Sequence, residues 1–180
     1  MLELTINNRY YAPQFVLTDP AGKLLQYTII LTGGQFTEKG LNIYLEDFED
    51  EPFHMDIFLD MNLNLPIVSP SLLETLNSYN CELGQAIPVL NTFYAGYSVL
   101  NLPEFDLIDM DESQASIIQM GNISMLMYKG EQKKPVFKND KGGQALFRIK
   151  HQFKSTYCTD DTARLLQSFD CRAIAIKPVN

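Results

Sequence analysis

Apolar residues along the chain gather in short runs, most of them alternating with polar positions, and only two stretches carry the spacing of an amphipathic helix. That pattern predicts a fold dominated by strands. Tyr10 to Leu17 and Leu24 to Leu31 are apolar, β-branched or aromatic runs, with the turn-forming residues Asp19-Pro20-Ala21-Gly22 between them. Gly33-Gly34 closes the second run, and Leu41, Ile43 and Leu45 then alternate with Asn42 and Tyr44 in a third strand. An antiparallel meander is the simplest assembly of the three. Glu46 to Phe53 is too acidic, and too interrupted by Pro52, for a core strand, and reads as an exposed loop of the kind that carries recognition. Gly96 to Leu100, Leu107 to Met110, Ile123 to Tyr128 and Ala145 to Ile149 are further strand candidates. Lys129 to Gly143 has only Val136 and Phe137 as apolar anchors and reads as a long mobile hairpin loop.

Ile67-Val68 runs into Ser69-Pro70, a helix N-cap followed by proline at the first helical position. This predicts a helix to about Tyr79, with Leu72, Leu73 and Leu76 on its apolar face and Gly84 in the exit loop before a strand over Ala86 to Leu90. Thr159-Asp160-Asp161 caps a second helix holding Ala163, Leu165 and Leu166, ahead of a strand over Ala173 to Ile176. The two units align without gaps, Val68-Ser69 through Cys81 on Cys158-Thr159 through Cys171, and each continues to a Pro-Val pair, Pro88-Val89 and Pro178-Val179. A degenerate internal strand-helix-strand repeat is the reading. Two copies are too few for a solenoid, so two related helix-on-sheet layers are expected. The fold class is therefore α+β, mostly antiparallel sheet with two capped helices packed on it. A β-rich region over residues 1–60 and an α+β region over 61–180 together form one compact unit.

Charge changes this picture more than composition does. The net charge is −8, yet no Lys or Arg occurs between Lys39 and Lys129, where fourteen acids fall. Between Lys129 and Lys154, eight bases meet two acids. Such a chain is electrostatically polarised, and its field steers partners of complementary charge while its acidic side repels nucleic acid. Solubility alone explains an acidic excess, but the absence of any compensating base across the gap points towards function.

The chemistry-bearing residues are few. Cys81, Cys158 and Cys171 are odd in number and lack CxxC spacing, against a disulfide framework or structural zinc. The start of the chain has no basic-then-apolar leader, and no run approaches the roughly 20 apolar residues of a membrane span, so a cytoplasmic setting is expected. Gly33-Gly34 leads into a segment without phosphate-loop spacing, and GxSxG and HExxH are absent. His54 with Glu51 and Asp56 is a conceivable metal cluster, but carboxylates beside one histidine are ordinary in an acidic loop, and neither metal nor cofactor is expected. Cys158 immediately precedes the Thr159 cap, with His151 upstream, an arrangement a thiol enzyme could use. Residues seven apart on a strand face opposite sides, however, so Cys158 is read as core packing, like Cys81 and Cys171 at the helix exits. Asp109 and Asp111 are expected on one face of a strand. Phe137, Phe147 and Phe153 interleave with the bases of Lys129 to Lys154, as on surfaces that stack nucleic-acid bases, but the global acidity opposes that use. No catalytic residue is assigned, and the chain is not expected to be an enzyme; the competing class is a small enzyme working through Cys158 or the acidic cluster.

Four features occur in an order that resembles a bacterial family of polymorphic-toxin immunity proteins, first known as a domain of unknown function. They are Leu65-Pro66-Ile67-Val68-Ser69 with its leucine-rich helix, Gly96 to Asn101 leading to Leu107-Ile108-Asp109-Met110-Asp111, Ala145-Leu146-Phe147-Arg148-Ile149, and the final capped helix with its strand. The resemblance covers residues 65–180. It departs at Cys158-Thr159-Asp160-Asp161, where the look-alikes carry a simple serine-aspartate cap, and it leaves out the N-terminal third. What it implies is a chain that binds and neutralises a co-encoded toxin inside the producing cell, with no catalytic residues to carry over. A basic toxin such as a nuclease is the partner that the acidic section suits. Glu46, Asp47, Glu49, Asp50, Glu51, Asp109, Asp111 and Glu112 are the expected partner-binding acids, with Tyr44, Phe48 and Phe53 as aromatic anchors. A regulatory interaction module unrelated to toxins is the remaining alternative.

Overall fold

Two strand-helix-strand units, ninety positions apart, organise the computed structural model, which describes residues 1–7, 14–23, 39–46, 54–79, 83–91, 94–121, 123–129, 135–138 and 146–179. In the first, β5 (Pro66–Val68) passes through the Ser69 cap into α1 (Pro70–Ser78) and returns as β6 (Gln85–Pro88). In the second, β12 (Gln152–Cys158) passes through Thr159 into α2 (Asp160–Leu166) and returns as β13 (Ile174–Pro178). Both caps form as the sequence predicts: Ser69 Oγ accepts the Leu72 amide and Thr159 Oγ1 the Thr162 amide, each at 3.3 Å. A hydroxyl at this position satisfies one of the helix amides that have no intrahelical acceptor.

The likeness extends to the sheets. In the first, β6 and β5 flank β7 (Ser98–Asn101), so that Ser98 pairs with Val68 on one side and Pro88 on the other. In the second, β13 and β12 flank β1 (Leu2–Ile6), and Leu2 pairs with Cys158 on one side and Pro178 on the other. Before β5 comes the antiparallel β4 (Ile57–Leu59), and before β12 the antiparallel β11 (Leu146–Ile149). The order β4-β5-β7-β6 is thus repeated as β11-β12-β1-β13, with β8 (Glu104–Phe105) added in parallel to the β11 edge. The central strand of the second copy comes from the start of the chain.

Strand alternation sorts the side chains into three cores. Ile57, Leu59, Val68 and Leu100 of the first sheet face Leu4, Leu146, Cys158 and Ile174 of the second in a core that also takes Leu72 and Leu76 of α1 and Ala163 and Leu166 of α2. The opposite face of the first sheet carries Phe58, Ile67, Ile87 and Val99, together with Leu17 and Ile43 from the antiparallel pair β2 (Gln14–Thr18) and β3 (Asn42–Glu46). On the opposite face of the second sheet, Phe147, Ile149 and Tyr157 pack with Leu107 and Ile108. A separate two-stranded hairpin, β9 (Ala115–Met120) and β10 (Ile123–Tyr128), completes the described strands.

Several sequence expectations need correction. The Asp19 turn forms, closed by Gly22 N donating to Asp19 O at 3.0 Å, but β2 pairs directly with β3, so these strands are not in meander order. The Leu24 to Leu31 run lies outside the described residues. Leu107 to Met110 is no strand: Ile108 makes one isolated bridge to Phe137, and a turn follows. Asp109 and Asp111 therefore do not share a strand face. Most of Lys129 to Gly143 also lies outside the described residues, although Val136 and Phe137 act as the anchors expected of them. Val136 O accepts the Asp109 amide at 2.9 Å, and Phe137 packs against the outer core. Phe147 is buried in that core, stacked on Tyr157 with ring centroids 5.9 Å apart, and cannot present its ring to a base.

Candidate functional site

The acids of the lysine-free section divide sharply by environment. Asp60, in the turn between β4 and β5, is fully buried; its Oδ1 accepts the Leu17 amide at 3.3 Å and its Oδ2 the Leu63 amide at 2.7 Å. Burial pushes its carboxyl up to about 6, against the opposing pull of amides from Leu63, Leu17 and Asn62. Asp56 is also used within the fold. Its Oδ1 accepts Ser69 Oγ at 2.6 Å and its Oδ2 the Asp170 amide at 3.0 Å, tying the start of β4 to the α1 cap and to the exit of α2. Glu104 lies opposite Arg148 across the β8 and β11 ladder, half-buried, with its carboxyl raised by burial while Arg148 and Lys150 oppose the rise.

Glu74 on α1 and Asp106 reach solvent singly, and two more exposed acids lie together at the turn after Leu107. Asp109 Oδ1 accepts the amides of Asp111 at 3.1 Å and Glu112 at 3.0 Å, a side-chain cap that closes the turn. Ser113, fully buried, clamps its far side: Ser113 Oγ donates to Val136 O at 3.2 Å and accepts the Val136 amide at 2.8 Å. Held this way, Asp111 and Glu112 point into solvent. The nearby Asp106 is paired with Lys138 at 3.3 Å, both side chains well exposed, a contact of little energetic weight.

Of the sequence-predicted binding residues, the structure thus places Asp111 and Glu112 together on one exposed turn and uses Asp109 to build it. Glu46 and Tyr44 belong to β3, far along the chain from that turn. Asp47, Phe48, Glu49, Asp50, Glu51 and Phe53 lie outside the described residues. No family model matches the chain, and no curated protein matches it. Any reading of its function rests on its own residues and on the motif resemblance.

The other candidate chemistry is dispersed. Cys158 is completely buried, and that burial pushes its thiol up to about 12, so it stays protonated at neutral pH, unlike an activated nucleophile. His151 occupies the turn at the opposite end of β12, in a left-handed conformation with φ 68°, its imidazole held below the usual range by burial and by Lys150. Cys171 is half-buried against the shared core, and Cys81 lies outside the described residues. Among the described residues no group of three or more His, Cys, Asp or Glu is placed to hold a metal ion, and no helix is long and apolar enough to cross a membrane.

Arg148 is the residue whose environment the sequence conceals. It is 1% exposed, its Nη1 and Nη2 have no hydrogen-bond partner among the described residues, and burial lowers its guanidinium pKa while Glu104 works in the other direction. An arginine in the middle of the apolar run Leu146 to Ile149 is the only signal of this, and by itself it does not distinguish a buried residue from an edge one.

Proposed function

We propose that the chain is an immunity protein that binds a cognate bacterial toxin by protein-protein contact in the cytoplasm, with an acidic surface turned towards a basic partner such as a nuclease. The motifs that resemble the immunity family support this reading through where they lie. Leu65 to Ser69 forms β5 and its cap, Leu146 to Ile149 forms β11, and the final capped helix is α2, all part of the paired sheets and their helices. The motif running to Asp109 and Asp111 is the one that ends in solvent, and the carrying observation is its capped turn, with Asp111 and Glu112 both exposed. Opposite charge across an interface accelerates encounter and excludes wrong partners, and both effects weaken with salt.

The test is co-purification with the product of the neighbouring gene. We expect a stoichiometric complex that suppresses the toxicity of that product and loosens between low and high salt. Asp111→Lys with Glu112→Lys should slow association at low salt by about ten-fold and flatten the salt dependence. A neighbour that is not bound, or whose toxicity is unchanged by this chain, removes the immunity reading; affinity indifferent to both charge reversals removes the acidic turn from it.

A further inference from the structure

Among the described residues, the β9-β10 hairpin carries four of the exposed large hydrophobic side chains, Ile117, Met120, Met125 and Met127. Its strands pair with each other and, among the described residues, with no third strand. No Asp, Glu, Lys or Arg occurs from Ser113 to Tyr128. Free edges are ordinarily blunted by charge, proline or cover, and two-stranded hairpins are marginal without packing. The register, which sets Ile118 opposite Met125 and Ile117 opposite Leu126, divides the side chains between two faces. One is anchored to the body: Leu126 packs against the outer core, and Gln152 Nε2 donates to Tyr128 Oη at 3.1 Å. The other carries Ile118 and three methionines, of which Met120 is 63%, Met125 36% and Met127 47% exposed. Ile117, on the anchored face opposite Leu126, is half exposed as well.

Two features say what covers this face. The acidic turn leads directly into β9, with Ala115 N donating to Met110 O at 3.0 Å, so Asp111 and Glu112 border the apolar surface, against Lys129 at the end of β10. A second copy of the chain would bring these borders and two net charges of −8 together, which disfavours self-association. We propose that the methionine face of the hairpin is the apolar centre of a docking surface and the acidic turn its rim, and that the partner it fits is a protein with an apolar patch bordered by lysine or arginine. An apolar centre within a charged rim is the usual anatomy of a protein interface, and methionine adapts its shape to the surface it meets. The inference deepens the partner-binding reading above and rests on it only for the partner's identity.

The direct test uses a labelled peptide of alternating leucine and lysine, its leucine-glutamate counterpart, and fluorescence anisotropy on the whole chain. We expect the leucine-lysine peptide to bind at least ten-fold more tightly than the other. Met120→Thr, Met125→Thr and Met127→Thr combined should weaken it at least ten-fold while every charge stays in place. Because the three side chains are exposed, circular dichroism should show the variant folded. Failure of the leucine-lysine peptide to bind, or equal binding by the variant, overturns the proposal, as does a wild-type dimer in sedimentation that the variant dissolves. The neighbouring gene's product separates the two readings: if it binds wild type and variant alike, the hairpin is dismissed and immunity stands; if it binds neither while the peptide behaves as expected, the docking face stands and immunity fails.

Discussion

Asp60 has no solvent exposure, yet its carboxylate oxygens accept the amides of Leu17 and Leu63 and so join β2 to the turn between β4 and β5. Burial disfavours its charged form and the amides favour it, and burial wins, leaving the group at about 6. The native state then holds this proton more tightly than the unfolded chain, where an aspartate titrates near 4. Its contribution to stability is fully present below about pH 4 and is lost as pH rises through 6, on the order of 2–3 kcal/mol across that window. Asp60→Asn cannot titrate, so urea unfolding from pH 4 to 7 should give it a shallower decline than wild type. Equal slopes would show that Asp60 does not titrate in this range. The lysine-free section announced acidity, but it did not announce that Asp56, Asp60 and Asp109 are spent on amides and hydroxyls within the fold. The amides on Asp109 and the Leu63 amide on Asp60 are local turn contacts, but the Leu17 amide on Asp60 and the Ser69 and Asp170 partners of Asp56 are brought in by tertiary structure, and local sequence carries no trace of them.

The two capped helices are alike in sequence but not in what their caps hold. Thr159 Oγ1 accepts one helix amide and contacts the Thr162 hydroxyl at 2.9 Å. Ser69 Oγ accepts its helix amide and also donates to the Asp56 carboxylate, which in turn receives the Asp170 amide. Thr159→Ala should therefore cost about 1 kcal/mol, an ordinary cap, and Ser69→Ala about 2–3 kcal/mol, because a hydrogen bond to a charged group is lost as well. Chemical denaturation of the two variants checks the order, and equal losses would mean that the Asp56 contact adds nothing. Elements with strong local signals were legible: the caps, both helices, β10 over Ile123 to Tyr128, and the repeat itself. β9, Ala-Ser-Ile-Ile-Gln-Met, has no alternation to give it away and exists because β10 lies beside it. β1 is a short strand at the chain's start, and nothing local reveals that it pairs on both sides with residues more than 150 positions later.

At the scale of the whole molecule, the duplication is closed across the chain's two ends. β6 reaches β7 through residues 89–97, whereas β13 and β1 lie side by side with no connection between them, Leu2 against Pro178 and Val179 N donating to Met1 O at 3.4 Å. The exposed surface is equally uneven: charge-free hairpin and acidic turn lie next to one another, while the two sheets and their capped helices form the frame behind them. Truncation and interface variants should therefore separate cleanly. Leu4→Ala, in the middle of the strand between β12 and β13, should lose about 2–5 kcal/mol of stability, whereas the exposed methionine variants should stay within about 0.5 kcal/mol of wild type. Thermal melts of both sets test the division.

That abutment of first and last strands makes the fold indifferent, in principle, to where its polypeptide is cut. Linking Asn180 to Met1 by about six residues would give the second copy a connection comparable to residues 89–97 of the first. New ends opened between β10 and β11 would then yield a circular permutant in which each half is written in one uninterrupted order. Such a molecule should fold with the wild-type circular dichroism spectrum, and faster, because the pairings of β1 change from the most distant in the chain to nearly local ones.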